Sequence, residues 1–279
     1  MYEILKREEL NFKTTRIEIA APFVARHAEP GQFIILRVTE DGERIPLTIS
    51  DFDRERGTVS VIFQTIGATT EKLNHVMEGQ CLADVAGPLG NATETEGLKK
   101  VAVVGGGVGC AIAYPIAKKL HKLGAEVHLI VGFRDKENVI LEDEYKEACT
   151  NLVLMTDDGS YGKKGMTTEG LQELIDAGHQ FDEVIAIGPL VMMKFVCLLT
   201  KKYNIKTIVS MNPIMIDGTG MCGGCRLTVG GEMKFACVDG PDFDGHLVDF
   251  DETISRNRIY NDFERHAYEE TCNLFKKGE

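Results

Sequence analysis

Near its C-terminus the chain reads Asp217-Gly-Thr-Gly-Met-Cys222-Gly-Gly-Cys225, and Cys237 follows after eleven residues. Thiolates at C-x4-C-x2-C…C hold the two irons of a plant-type [2Fe–2S] cluster. Here the spacing is kept with Asp217 in the first position, and a carboxylate can take one iron position. The candidate ligands are therefore Asp217, Cys222, Cys225 and Cys237. Glycines 218, 220, 223 and 224 would let a short loop bend around a cluster and aim N–H groups at its sulfurs. Zinc is the competing ion, since it too accepts a C-x2-C pair with a further Cys and an Asp or His. A thioredoxin-type redox pair is disfavoured because no strand-to-helix pattern surrounds the two cysteines. The remaining cysteines (81, 110, 149, 197 and 272) stand in apolar or helical surroundings, where buried thiols are expected.

A second chemistry is written in glycine. Gly105-Gly106-Gly107-Val108-Gly109 directly follows the apolar run Lys100–Val104 and precedes a helical stretch. Such a loop lets backbone approach a diphosphate at a helix N-terminus. The strict G-x-G-x-x-G spacing is not met, so a tight strand-to-helix turn is the alternative. Gly188-Pro189, followed by Met192 and Met193, ends another apolar run. Ligands of open parallel sheets bind at the carboxyl ends of the strands, so Gly105 and Gly188 would border one crevice. Taken alone, Gly-Pro reads as a strand stop and the methionines as core filler. Arg134, after Gly132-Phe133, suits a ribose or a 2′-phosphate, whereas Asp135 or Glu137 suits a ribose hydroxyl. NAD and NADP both remain open. In the first third, Arg44-Ile-Pro46-Leu47-Thr48 joins a cation, apolar strand residues and a hydroxyl, the set a flavin needs. Gly67-Ala-Thr69-Thr70 opens a helix where a phosphate could sit.

Two kinds of scaffold must position these groups. Residues 1–98 alternate short strand candidates (Thr14–Ala20, Phe33–Val38, Ile45–Ile49, Thr58–Gln64, Gln80–Val85) with turn signals, and one helix spans Thr69–Met77. That pattern predicts a small antiparallel barrel. A polar break at 91–97 leads into residues 99–211. There the strands Lys100–Val104, Glu126–Val131, Leu152–Met155, Glu183–Ile187 and Thr207–Met211 alternate with helices at Cys110–Leu123, Leu141–Ala148, Thr168–Ala177 and Leu190–Tyr203. This alternation predicts a doubly wound parallel sheet. The expected class is thus α+β and α/β, closed by a cluster segment at 212–250 and a charged helical tail at 251–279.

Composition narrows the role. The 279 residues suggest about two domains. With 43% apolar and 27% charged residues the chain is ordinary for a soluble protein. A net charge of −12 disfavours a nucleic-acid partner. No apolar run is long enough for a membrane span, the charged N-terminus lacks a secretory core, and irregularly spaced cysteines fit a reducing cytoplasm.

In this order the motifs resemble the ferredoxin–NADP+ reductase superfamily. The match runs over Pro30-Gly-Gln-Phe33, Arg44–Thr48, Gly67–Thr70, Gly87-Pro-Leu-Gly90, Gly105–Gly109, Gly132–Arg134, Gly188-Pro189 with Met192, and the cluster run ending Cys237-Val-Asp-Gly-Pro241. Within that superfamily the chain is similar to electron-transfer subunits of dihydroorotate dehydrogenase B. It is similar also to small subunits of the NADH-dependent reduced ferredoxin:NADP+ oxidoreductases, or sulfide dehydrogenases. The resemblance implies FAD in the barrel, around Arg44, Pro46, Leu47, Thr48, Ile62, Phe63, Gln64, Gly67, Thr69 and Thr70. It implies NAD(H) over Gly105–Gly109, Arg134, Gly188, Pro189 and Met192, and a [2Fe–2S] cluster on the four ligands above. Hydride transfer would be cofactor-borne, with no catalytic side chain. A large FAD and [4Fe–4S] subunit binding NADPH would complete a bifurcating heterodimer, with ferredoxin reached through it. Dihydroorotate subunits place cysteine where this chain has Asp217; the second group has aspartate. A simple diaphorase relay is the plainer alternative. A separate-ferredoxin oxygenase reductase would need a longer cluster segment, and a zinc module on a nucleotide domain would be colourless.

Overall fold

The computed structural model describes residues 2–277, with side chains through Asn273. An antiparallel, nearly closed barrel comes first. Its strands are β1 (Tyr2–Asn11), β2 (Thr14–Ala20), β3 (Phe33–Arg37), β4 (Arg44–Asp53), β5 (Thr58–Gln64), β6 (Cys81–Leu82) and β7 (Asp84–Leu89), in the order β6-β1-β2-β5-β4-β3-β7. Alternate residues Ile17, Ile19, Ile34, Leu36, Val59, Val61 and Phe63 fill its interior, as period-2 side-chain alternation requires. Two short helices lie on it, α1 (Pro22–His27) and α2 (Ala68–Asn74).

Three barrel elements depart from expectation. β1 escaped the sequence pattern because Lys6, Arg7, Glu8 and Glu9 mask its alternation. Only the pairing with β2 shows it, with Ile4 opposite Ile19 and fully buried. The six-residue α1 is too short for a periodic signal, although Pro22 sits in its first turn. The run 80–85 is two strands, not one: β6 pairs with β1 and β7 with β3. The break at Ala83 leaves Cys81 exposed, contrary to the buried thiol expected. Cys272 is only half-buried, whereas Cys110, Cys149 and Cys197 are buried.

The second layer holds β8 (Lys100–Gly106), α3 (Gly109–Lys122), β9 (Glu126–Phe133), α4 (Glu142–Glu147), β10 (Asn151–Thr156), β11 (Lys163–Lys164), α5 (Thr167–Asp176), β12 (Glu183–Ile187), α6 (Leu190–Lys202) and β13 (Thr207–Ser210). The parallel order is β11-β10-β9-β8-β12-β13, so the sequential winding, not the strand direction, reverses between β8 and β12. Val101, Val103, Val127, Leu129 and Ile185 face α3 and α4. Ala102, Val104, Ile130, Val184 and Ala186 face the other side, with α5 and α6. Both faces are covered, which is why these strands read as unbroken apolar runs. The chain then makes a hairpin, β14 (Arg226–Val229) and β15 (Glu232–Phe235), and returns as β16 (Asp242–Asp244), antiparallel to β13 at the sheet edge. α7 (Phe250–Asn257) and α8 (Asn261–Lys277) follow. The tail is helical as expected; residues 278 and 279 lie outside the described residues. Among the described residues no helix is long and apolar enough to cross a membrane.

The polar break at 91–97 is fastened on both sides rather than loose. Asn91 N–H donates to Gly240 O at 2.7 Å, Thr93 N–H to Pro30 O at 2.9 Å, and Thr93 Oγ1 to Asp242 Oδ2 at 2.6 Å. Burial pushes the Asp242 carboxyl up to about 6, from an ordinary 3.8, against the hydroxyls of Thr93 and Ser210, which hold it down. A folded-state value above the unfolded one means the native chain keeps a proton that the unfolded chain releases. Its contribution is therefore full below about pH 4 and is lost as pH rises through 6. Across that window wild type should lose stability, relative to Asp242→Asn, by about 3 kcal/mol at most. Parallel melting curves, subtracted, would show the slope; identical pH profiles would exclude it.

Candidate functional site

The reversal point of the parallel sheet builds the first site. Gly105 is register partner of Ile187 across β8 and β12, which puts the Gly105–Gly109 loop beside Gly188-Pro189. A Cβ on Gly106 would collide with Met192 Sδ, and one on Gly109 would stand 2.5 Å from Ile187 O. Gly109 is thus required by backbone packing, whereas at Gly106 the Met192 side chain would have to move aside. Gly107 is different: its φ is +57° and nothing lies within 4 Å of a Cβ there. It is the open point of the loop. The 14-residue α3 begins just beyond, with no side-chain cap and no acidic residue in its first turn. The Cys110 and Ala111 N–H groups turn back to Gly107 O and Val108 O, and the helix dipole faces the loop with no side-chain charge against it. Arg134 is exposed at the end of β9. Asp135 is already committed: its carboxylate accepts from the Asn138 N–H and side-chain amide. Of the two acids weighed for a ribose, Glu137 is the exposed one.

On the barrel, β4 carries Arg44, Pro46, Leu47 and Thr48. Pro46 is opposite Ile35 and Thr48 opposite Phe33 on β3. Directly opposed residues share a face, so Pro46 and Thr48 project to the outer side with Ile35 and Phe33, and half-buried Leu47 packs on the barrel core with Ile34. Arg44 is exposed and loosely paired with Asp84 at 3.5 Å. On β5, Phe63 is barrel interior, so only its backbone can face a ligand. Ile62 packs against the parallel-sheet layer, and Gln64 is half-exposed at the strand end. Gly67 and Thr70 close on each other at the start of α2: the Thr70 hydroxyl accepts from the Ile66 and Gly67 N–H groups and donates to Gly67 O. Thr69 Oγ1 donates to Glu43 Oε2 at 3.0 Å. A phosphate at this helix start would have to displace the Glu43 carboxylate.

The four proposed ligands form two contacting pairs. Cys222 Sγ is 3.3 Å from Asp217 Oδ1, and Cys225 Sγ is 3.2 Å from Cys237 Sγ. Asp217 also accepts from the N–H groups of Thr219 and Cys222, which hold its carboxyl below the usual carboxylate range. Gly224 N–H points at Cys222 Sγ. Burial and the neighbouring Cys225 push the Cys237 thiol up to about 12. An all-sulfur pair and a carboxylate–sulfur pair fit a two-iron cluster, which takes two protein ligands per iron. Packing locates this loop. Cys225 and Cys237 share one core with Phe33 and Ile35 of the barrel and Val209 of the sheet. A Cβ on Gly218 would stand 2.7 Å from Leu89 and 3.0 Å from Ile35. The sequence held no sign of this β3 contact, because it joins residues about 180 positions apart.

This architecture, with its glycine loop at the sheet's reversal point, defines a ferredoxin-reductase-like oxidoreductase. A solved cytochrome P450 reductase from Amycolatopsis shares the fold at TM-score 0.61 and 21% identity, over 72% of this chain and 65% of that one. Residues 212–249 match the iron–sulfur cluster binding domain of dihydroorotate dehydrogenase B. A dihydroorotate dehydrogenase B (NAD(+)) electron-transfer subunit homolog of Thermotoga maritima is 45% identical, covering 96% of this chain and 94% of its own. The solved NADH-dependent reduced ferredoxin-NADP oxidoreductase, described for flavin-based electron bifurcation, aligns with TM-score 0.92 at 43% identity over 97% of both chains. The chain belongs to the family of dihydroorotate dehydrogenase B electron-transfer subunits. It is an oxidoreductase electron-transfer subunit, and membership implies FAD, a [2Fe–2S] cluster and NAD(H) as its cofactors.

Proposed function

We propose that this chain is the NADH-oxidising small subunit of a bifurcating complex. It would hand electrons singly to a large subunit that binds NADPH and carries FAD and [4Fe–4S] centres, with ferredoxin as second acceptor. One observation carries the reading: the cluster loop rests on β3, whose neighbour β4 bears the flavin residues, so the two candidate sites are one strand apart. The likeness to the bifurcating oxidoreductase supports it, as does Asp217 in place of a cysteine.

Bound FAD and the cluster supply the exchange between two-electron and one-electron chemistry. The chain's own residues bind and orient. The open Gly107 and the start of α3 receive the dinucleotide's phosphates, and Arg134 its ribose end. Arg44 answers the flavin's diphosphate, while Pro46 and Thr48 present a flat apolar and hydroxyl face to its ring. Asp217 with Cys222 would hold one iron, and Cys225 with Cys237 the other. Around the exposed Cys222 the surface is apolar, with Met221, Ile216 and Val238 all exposed, which suits docking of a larger chain. Three of the eight cysteines are assigned to the cluster and the other five are scattered through separate elements, so any [4Fe–4S] centre would belong to the partner.

Co-purification of the native complex with flavin, iron and zinc counts tests this. A partner bearing a second FAD and [4Fe–4S] centres is expected; a lone zinc-containing chain would end the proposal. A second reading, service to a dihydroorotate dehydrogenase, is favoured by the matched cluster domain. NAD+ reduction by dihydroorotate in the same preparation would select it. Asp217→Cys separates ligand from bystander: the EPR g-values and midpoint potential of the cluster should both move, and an unaltered spectrum would strike Asp217 from the ligand set.

A further inference from the structure

At the amino end of the parallel sheet, away from the glycine loop, lies a group of side chains that the electron path leaves unused. Glu126 and His128 flank Val127 on β9 and so project to one face. His179 reaches them from the turn between α5 and β12. A carboxylate oxygen and two imidazole nitrogens there all lie within 4.8 Å of one another. His128 is 3% exposed and fixed on both sides: Nε2 is 2.9 Å from Glu126 Oε1, and Nδ1 is 3.2 Å from the Asn151 side-chain amide. The amide nitrogen is the atom facing Nδ1, so Nδ1 accepts and Nε2 donates to Glu126. A flip of the Asn151 amide on metal binding would let Nδ1 donate and free the Nε2 lone pair for the cation. An imidazole oriented through its far nitrogen is the usual support for a metal-ligating histidine. His179 packs edge-on against His128, with ring centroids 4.5 Å apart, and stacks on Phe181. Its ring nitrogens have no hydrogen-bond partner among the described residues.

We propose that Glu126, His128 and His179 form a binding site for a zinc-class divalent cation, with water as fourth ligand. Two imidazoles and one carboxylate suit zinc and its transition-metal neighbours rather than calcium or magnesium. Lys100 Nζ is 2.8 Å from Glu126 Oε1 and leaves Oε2 for the metal. Bonds of about 2.0–2.2 Å set tetrahedral ligand atoms about 3.3–3.6 Å apart. The group must therefore close by about 1 Å, which a rotamer change of half-buried His179 provides. Six residues of extended strand, about 20 Å, separate Glu126 from Gly132 at the nucleotide edge. A cation here touches neither nucleotide nor cluster. It ties β9 to the turn after α5, so its role is to hold the sheet.

The experiment uses the holoprotein, loaded with FAD and cluster, stripped by chelator and titrated with zinc chloride. One zinc per chain is expected, with a higher melting temperature and an X-ray absorption edge showing nitrogen and oxygen neighbours only. His179→Ala and, separately, Glu126→Gln should each weaken zinc binding by about tenfold or more, with flavin reduction by NADH and the cluster spectrum unchanged. Failure of the holoprotein to take up zinc, sulfur in the zinc shell, or wild-type affinity in both variants would overturn the assignment.

Discussion

Cys237→Ala should strip the [2Fe–2S] centre from the chain and slow electron delivery to the partner subunit by about a hundredfold or more, while NADH still bleaches the flavin at the wild-type rate. The sulfur lies 3.2 Å from Cys225 Sγ in a core shared with Ala236 and Leu227. Removing it leaves one iron with a single protein ligand. Loss of an outer partner alone costs 10–100-fold in metal affinity, so loss of a ligand costs more. The substitution removes one atom from a packed site, so the fold should survive. Absorbance, EPR and stopped-flow traces of flavin reduction separate the two halves of the path. A variant that keeps both its cluster signal and its relay would refute the ligand assignment; one that also loses NADH-driven flavin reduction would refute the division of labour.

Gly109→Ala should cost about 3 kcal/mol and lower the melting temperature by about 6–12 °C, with nucleotide affinity falling alongside. Its new methyl would stand 2.5 Å from Ile187 O and 2.7 Å from Gly188 Cα. These are backbone atoms, so no rotamer relieves the clash, and α3 must back away from β12. Gly107→Ala is the contrast. Nothing lies within 4 Å of its added methyl, and only the positive φ is strained, which costs about 1–2 kcal/mol. Should the two variants melt together, close helix-to-strand packing would not be what Gly109 serves.

The sequence disclosed the parallel layer well because its strands are buried on both faces and read as apolar runs. Glu183–Ile187 and Thr58–Gln64 fall where the pattern puts them. It hid β1, whose outward face is charged, and the hairpin at 226–235, whose Gly-rich turn lies inside the cluster spacing. Cys81 misled because burial depends on where a strand changes neighbours. The candidate cluster set came from spacing alone, whereas the pairing of Asp217 with Cys222 and of Cys225 with Cys237 is a tertiary fact. Thr69 and Thr70 looked available for phosphate in the sequence; in the fold Glu43 and Gly67 already engage their hydroxyls. The Glu126, His128 and His179 group left no motif, since strand and turn meet only after the sheet forms.

β13 takes its outer hydrogen-bonding neighbour from residues 242–244, a stretch that follows the last cluster ligand. Excising the iron-binding portion as a cassette would bare a parallel sheet to any passing strand. The redox module therefore cannot be traded by gene shuffling without breaking its host. Change there is confined to single side chains, such as the one at position 217, that leave the edge pairing intact.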